Sequence, residues 1–357
     1  MKGQGTGMVP ARIIATATAV PPFILRQAEV AARSADIFAP AVPGFDRFAP
    51  IYANAAIDTR HSCVPIDWYG RTHGFTERND LYLRHATDLL ATVAERLLAD
   101  SGLAAADIDG LVVVSTTGVA TPSLDARLME RLAFRRDIER TPLFGLGCGG
   151  GVAGLARAAG LAAARPGATY LFLVVELCGL TFRVNDTSKS NIVATALFGD
   201  GAAGMLLSTA GAGPAIAASG EYTWPDTLYV MGWRVADDGL GVLFSQDIPH
   251  LVRTRLADPL DAFLDAHGVA LSELDGFLCH PGGAKVLDAL EGVFGLPPGG
   301  LVTSRAVLRR YGNMSAATVL FVLDAAMRSP DGLAGRHLMS AMGPGFTASF
   351  VLLERAA

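Results

Sequence analysis

The stretch TPLFGLGCGGGVAGLARAAGLAAARPG (141–167) carries an apolar strand-like run into clustered glycines and then into an Ala/Leu-rich helix. Cys148 sits where the two meet, so the spacing predicts a turn at a helix N-terminus. There the helix dipole and free backbone N–H groups favour a thiolate, and depress a cysteine pKa by one or more units from about 8.5. The flanking glycines admit substrate to the sulfur and leave N–H groups free to face a developing oxyanion. A buried, inert cysteine at a tight turn is the competing reading.

The strand-then-helix pattern repeats outward from this point. Short apolar runs occur at 111–116, 171–177, 204–208, 275–280, 337–342 and 350–354. Between them, residues 83–102, 152–165, 251–266, 283–294 and 315–328 place apolar side chains at three- and four-residue spacing, the period of helices. Alternation of this kind predicts an α/β fold with strands buried on both faces. Residues 208–222 (STAGAGPAIAASGEY) are small and lack large apolar residues before Tyr222, which reads as a connection. A boundary near 210 divides the chain into halves 1–210 and 211–357.

The 357 residues are 51% hydrophobic and 18% charged, enough for a large core built as two similar-sized halves. Twenty-nine basic against 34 acidic residues give a net charge of −5 with no run of one sign, so no basic face for nucleic acid is expected. An arginine and a Pro-Pro pair interrupt the N-terminal stretch 1–23, and no run approaches bilayer-spanning length. A cytoplasmic protein without an integral membrane segment is expected. The four cysteines, Cys63, Cys148, Cys178 and Cys279, are scattered and form no CxxC pair, so reduced thiols are the default and any one is free to be a nucleophile.

Two further residues belong with Cys148. His280 ends the run DGFLCH before Pro-Gly-Gly turns the chain into a helix. A strand's carboxyl end is where open α/β folds place functional groups. Asn313 lies between a glycine and a long apolar helix, where a helix cap is the plain alternative. Together they offer a thiolate, an imidazole that can hold it as an ion pair, and an amide that can share an oxyanion with the imidazole.

With these residues the chain resembles the thiolase-fold condensing enzymes, specifically the chalcone synthase-like type III polyketide synthases. The likeness rests on GCGGG around Cys148, ELCGLTFR (176–183), ALFGDGAA (196–203), HPGGAKVLD (280–288), YGNMSAATVLFVLD (311–324) and MGPGFTASFVLLE (342–354). It implies a five-layered αβαβα core from two similar halves and a homodimer. It also implies an acyltransferase with no metal or organic cofactor, which uses coenzyme A thioesters as substrates. Cys148 would take the starter from acyl-CoA, and His280 and Asn313 would stabilise the enolate left when malonyl-CoA loses carbon dioxide. Phe198 would orient the malonyl group. Val242 stands where plant relatives carry a second gatekeeping phenylalanine. Cys178, Thr181 and Ser315 would line the cavity, Trp233 would fill space near its floor, and Arg60 and Lys285 are the candidate CoA contacts, Arg60 near the pantetheine entrance.

A small gate over a long apolar cavity suits fatty acyl starters and products of the alkylpyrone or alkylresorcinol kind. The nearest alternative is a β-ketoacyl synthase III performing one condensation. A papain-like protease shares the Cys…His…Asn order, but Cys148 lacks the CGSCW context of such enzymes, and an inactive relative would not need all three residues. Residues 26–50 match the family least and are expected to be mobile or to contact substrate.

Overall fold

The computed structural model describes residues 9–329 and 332–356. Met1–Met8, part of the stretch read for a leader, lie outside the described residues. The first half contributes strands β1 (Arg12–Ala19), β2 (Phe23–Arg26), β3 (Thr59–Ser62), β4 (Gly110–Val114), β5 (Glu139–Leu143), β6 (Thr169–Leu177) and β7 (Asp200–Ser208). Its helices are α1 (Gln27–Phe38), α2 (Ala49–Asn54), α3 (Phe75–Ser101), α4 (Leu124–Leu128), α5 (Gly150–Ala164) and α6 (Lys189–Leu197). The second half adds strands β8 (Ala215–Thr223), β9 (Met231–Ala236), β10 (Gly239–Phe244), β11 (Gly276–Cys279), β12 (Gly335–Gly343) and β13 (Thr347–Arg355). Helices α7 (Ile248–Arg255), α8 (Ala257–Ala266), α9 (Ala284–Phe294), α10 (Val302–Tyr311) and α11 (Thr318–Met327) complete it.

Nine strands form one sheet in the order β11-β12-β13-β8-β1-β7-β6-β4-β5. The two halves of this sheet meet at the single pair Arg12↔Ala215 between β1 and β8. Along β6, Leu171, Leu173 and Val175 face the α3 side, while Tyr170, Phe172 and Val174 face α5 and α11. On β13, Val351 and Leu353 join that same central cluster, and Phe350 and Leu352 turn to the side covered by α7, α8 and α9. Period-two alternation thus sorts each strand's side chains between two cores. The result is the helix–sheet–helix–sheet–helix stack expected of a thiolase-like fold, with each fully buried Leu, Val or Phe contributing about 1.5–3 kcal/mol.

Two expectations need correction. Residues 215–222, within the stretch 208–222 read as a connection, belong to β8, which pairs with β13 and reaches β1. At Gly220 packing requires the small residue: a Cβ there would come within 2.6 Å of the Phe263 ring. The helix read over 251–266 is two helices, because Pro259 in the first turn of α8 has no N–H to continue the α7 ladder. Residues 26–50, whose alternatives were mobility or substrate contact, fold into α1, a 3-10 turn and the start of α2.

Strands β4, β5 and β6 run parallel, so their carboxyl ends open on one edge. Thr116 follows β4, Cys148 follows β5, and Glu176 and Cys178 lie at the end of β6. His280 follows β11 directly. The topology thus gathers residues that are distant in sequence.

Candidate active site

Cys148 occupies a 3-10 turn, Gly147–Gly149, that runs straight into α5. Gly147 holds φ +48, and a Cβ there would lie 2.5 Å from the Pro344 ring, so glycine is needed both for the turn and for the loop packed on it. The thiol donates to Ser315 Oγ at 3.6 Å. Ser315 N–H donates to Asn313 Oδ1 at 2.8 Å, and Asn313 Nδ2 donates to the Gly282 carbonyl at 3.1 Å. Gly282 in turn lies against the His280 ring. Cys148, Asn313 and His280 are therefore linked through one short run of contacts.

The imidazole of His280 is 3% exposed, and neither ring nitrogen has a partner. Burial alone drops its pKa to about 4, so the ring is neutral. Burial pushes the Cys148 thiol up to about 11. Hydrogen bonds from Ser315, its own backbone and Asn313 favour the thiolate but are outweighed, and the charge of Glu176 opposes it further. The expected depressed thiol and resting ion pair are therefore corrected: lost hydration costs the thiolate more than the helix end and its hydrogen bonds restore. The resting site holds a thiol and a neutral imidazole.

Phe198 is bridged to Asn313 through backbone, with Asn313 N–H donating to the Leu197 carbonyl at 2.8 Å and Gly199 N–H donating to the Asn313 carbonyl at 3.0 Å. Trp233 and Val242 are cross-strand partners in the β9–β10 hairpin, and Trp233 Nε1–H donates to the Thr116 carbonyl at 2.9 Å. Phe198, Trp233, Val242, Cys178 and Ser315 line one chamber of about 40 Å³ with Cys148. Thr181 is not among its walls. Its hydroxyl donates to the Cys178 carbonyl, and it lines a second cavity of about 60 Å³ that shares Cys178, Phe198 and Val242 with the first. That cavity runs to Leu25, Val30, Arg33, Ser34 and Ile37, so part of the 26–50 region is a wall.

On the other side, a cleft of about 690 Å³ is lined by Arg47, Lys189, Lys285, Leu197, Phe244 and Gly282. Lys285 is exposed there. Arg60, expected near the pantetheine entrance, is 2% exposed and lies elsewhere. Its guanidinium donates to the carbonyls of Thr195, Ala196 and Phe198, capping the C-terminal end of α6, and it lines the inner cavity. A helix leaves its last carbonyls unpaired, and a cation is the favoured partner at that end.

Family models describing the N-terminal and C-terminal domains of chalcone and stilbene synthases match residues 66–214 and 216–356, which together span most of the chain. The chain belongs to the chalcone and stilbene synthase family. It is 41% identical over 351 residues to 1,3,6,8-tetrahydroxynaphthalene synthase of Streptomyces peucetius subsp. caesius, across 96% of this chain and 92% of the relative. A similarly named synthase of Streptomyces coelicolor is 34% identical over 84% of this chain and 80% of its own length. The crystal structure of the Streptomyces coelicolor A3(2) enzyme, described as a bacterial type III polyketide synthase, superposes with a TM-score of 0.92 at 29% identity, covering 97% of this chain and 99% of that one.

This type III polyketide synthase is an acyltransferase of decarboxylating condensation. Among its described residues no helix is long and apolar enough to cross a membrane. In this polyketide synthase the motif reading passed over Glu176, which lies inside the quoted ELCGLTFR. Its carboxylate is fully buried, accepts from Thr116 N–H at 3.0 Å and Thr117 Oγ1 at 2.9 Å, and keeps Oε1 without a partner. Burial raises it to about 7 despite those bonds, and its charge bears on both Cys148 and Cys178. An acid on a strand otherwise filled with Leu, Val and Phe is the signal that would have singled it out.

Proposed function

We propose that Cys148 is loaded by an acyl-CoA starter, with its proton passing to His280 as the thiol attacks and on to the departing coenzyme A thiolate. Malonyl-CoA then loses carbon dioxide, and the electron pair moves to the thioester oxygen. Hydrogen bonds from His280 and from the free Nδ2 hydrogen of Asn313 hold that oxyanion. The enolate attacks the Cys148 thioester, a carbon–carbon bond forms as the bond to the Cys148 sulfur breaks and frees its thiolate, and the lengthened chain, now on coenzyme A, is passed back to Cys148 for the next round before ring closure. The carrying observation is the imidazole of His280, buried with both nitrogens unpartnered. Leaving such a group unpaired costs about 1–3 kcal/mol, which a ligand oxygen recovers.

For the starter, the adjacency of the thiol chamber and the inner cavity, which share Cys178, Phe198 and Val242 as walls, supports a fatty acyl chain. Its lining includes the apolar side chains of Leu25, Val30, Ile37, Ile66, Phe198 and Val242, which suits an acyl chain. Alkylpyrones or alkylresorcinols are the products of this reading. A second reading, malonyl-CoA as both starter and extender to a tetrahydroxynaphthalene, is favoured by the 41% identity to a synthase of that name. The two family models give no support to the single condensation of a β-ketoacyl synthase III.

Lys285, Arg47 and Lys189 supply positive charge for the phosphates of coenzyme A at the cleft, while no metal or organic cofactor enters the scheme. A second copy of the chain would cover the edge strand β5 and the neighbouring Phe144, which is 62% exposed. The cytoplasm is the compartment that fits a thioester-using enzyme with free thiols. Intact-protein mass spectrometry after brief exposure to acyl-CoA tests the loading step. A mass gain of one acyl group, absent in Cys148→Ala, is expected, and a gain that persists in the variant would overturn the assignment.

A further inference from the structure

The inner cavity lies between two walls that belong to different parts of the chain. One is α1 with the end of β2, through Leu25, Val30, Arg33, Ser34 and Ile37, and the other includes Ile66 and Tyr69 of a 3-10 turn. Arg33 and Asp67 form an ion pair across these two walls. The Arg33 side chain is 32% exposed and that of Asp67 81%, so the pair stands where the cavity meets solvent. At its opposite end the cavity shares Cys178, Phe198 and Val242 with the Cys148 chamber.

We propose that the Arg33–Asp67 pair is a latch across the far end of the acyl cavity and sets the length of starter the enzyme accepts. The inference rests on the fatty acyl reading given above. A chain entering from Cys148 passes Phe198 and Val242 and extends along Val30 and Ile37. Chains short enough to end inside leave the pair closed. Longer chains must part it, placing their terminal methylenes against α1 at the surface. An ion pair this exposed is screened by water and is worth little, about five-fold at most in an equilibrium, so it acts as a graded ceiling and not as a wall.

The test compares kcat/KM for stearoyl-CoA against octanoyl-CoA in the full-length protein, in Arg33→Ala, in Asp67→Ala and in the charge-swapped double variant R33D/D67R. Each single variant is expected to raise the stearoyl-to-octanoyl ratio by about five-fold, the value of the pair it removes. The swapped pair is expected to return the ratio toward that of the parent, which loss of packing alone would not do. A stearoyl-CoA analogue with a photoreactive group on its last carbon is expected to cross-link within 27–38 or at Ile66. An unchanged ratio in both single variants, with both starters turned over, would overturn the latch while leaving the fatty acyl reading intact. Failure of both starters to load Cys148 in the parent would overturn both.

Discussion

Ser315 Oγ accepts from the Cys148 thiol at 3.6 Å while Ser315 itself is held at φ +47, its N–H donating to the Asn313 side chain. The left-handed backbone turns the hydroxyl toward the nucleophile, and Asn313 is what keeps it there. On ionisation the same hydroxyl can turn and donate to the sulfur, which favours the thiolate, but burial has the larger effect and carries the thiol up to about 11.

Alkylation by iodoacetamide should therefore rise with pH through the alkaline range and reach no plateau near neutrality. Glu176→Gln removes a negative charge that opposes ionisation, so it should move the curve to lower pH. Peptide mapping of the rate at Cys148 checks both, and a plateau already reached at pH 7 would contradict the resting thiol.

Asn313 contributes both through Ser315 and through a free amide hydrogen. Asn313→Ala should lower the rate of malonyl-CoA decarboxylation by roughly 10²–10³, the usual cost of losing one oxyanion donor. Acyl loading of Cys148 should fall far less. Carbon dioxide release and intact mass, read on the same sample, separate the two steps.

Val242 is a wall of both the chamber and the inner cavity, opposite Trp233 in the hairpin, and on the acyl-chain reading the starter passes it. A phenylalanine there fills the passage. In Val242→Phe, kcat/KM for a long-chain acyl-CoA is expected to drop at least about ten-fold relative to acetyl-CoA, since overpacking of this kind costs about 1–3 kcal/mol. Equal losses for both starters would place the acyl chain elsewhere.

Away from the site, Glu291 anchors the loop 295–301. It accepts from Gly299 and Leu301 N–H groups and pairs with Arg305. The Arg305 contact, more than the backbone bonds, depresses its carboxyl to about 2. A carboxylate with a lowered folded pKa adds stability that is full above its unfolded value of about 4.3 and is lost as pH falls toward 2. Chemical denaturation should show Glu291→Gln less stable by on the order of 2–3 kcal/mol at pH 7, with the gap closing across that acid window.

The candidate catalytic residues stand out in the sequence because each lies beside a glycine or proline at the edge of an element: Cys148 before Gly149, His280 before Pro281, Asn313 after Gly312. The buried strands β4, β6, β7 and β13 were legible from continuous apolar runs. Strand β8 was not, since its Ala, Ser and Gly residues carry little strand propensity and the contact that requires Gly220, the ring of Phe263, is distant in sequence. Helix α6 and its cap were also invisible, because Arg60 finds the Thr195 carbonyl across 135 residues of sequence. The inner cavity is a product of such distant contacts, joining α1, α6 and the 3-10 turn at Ile66. Burial likewise decides the Cys148 thiol, which local spacing assigned to the helix end alone.

The most direct measurement is product identification by mass spectrometry after incubation with malonyl-CoA and a series of acyl-CoA starters, beside Cys148→Ala. The account predicts pyrones or resorcinols that carry the fatty acyl chain plus several malonyl-derived units and that vanish in the variant. A single β-ketoacyl product, or polyketides that persist without Cys148, would contradict it.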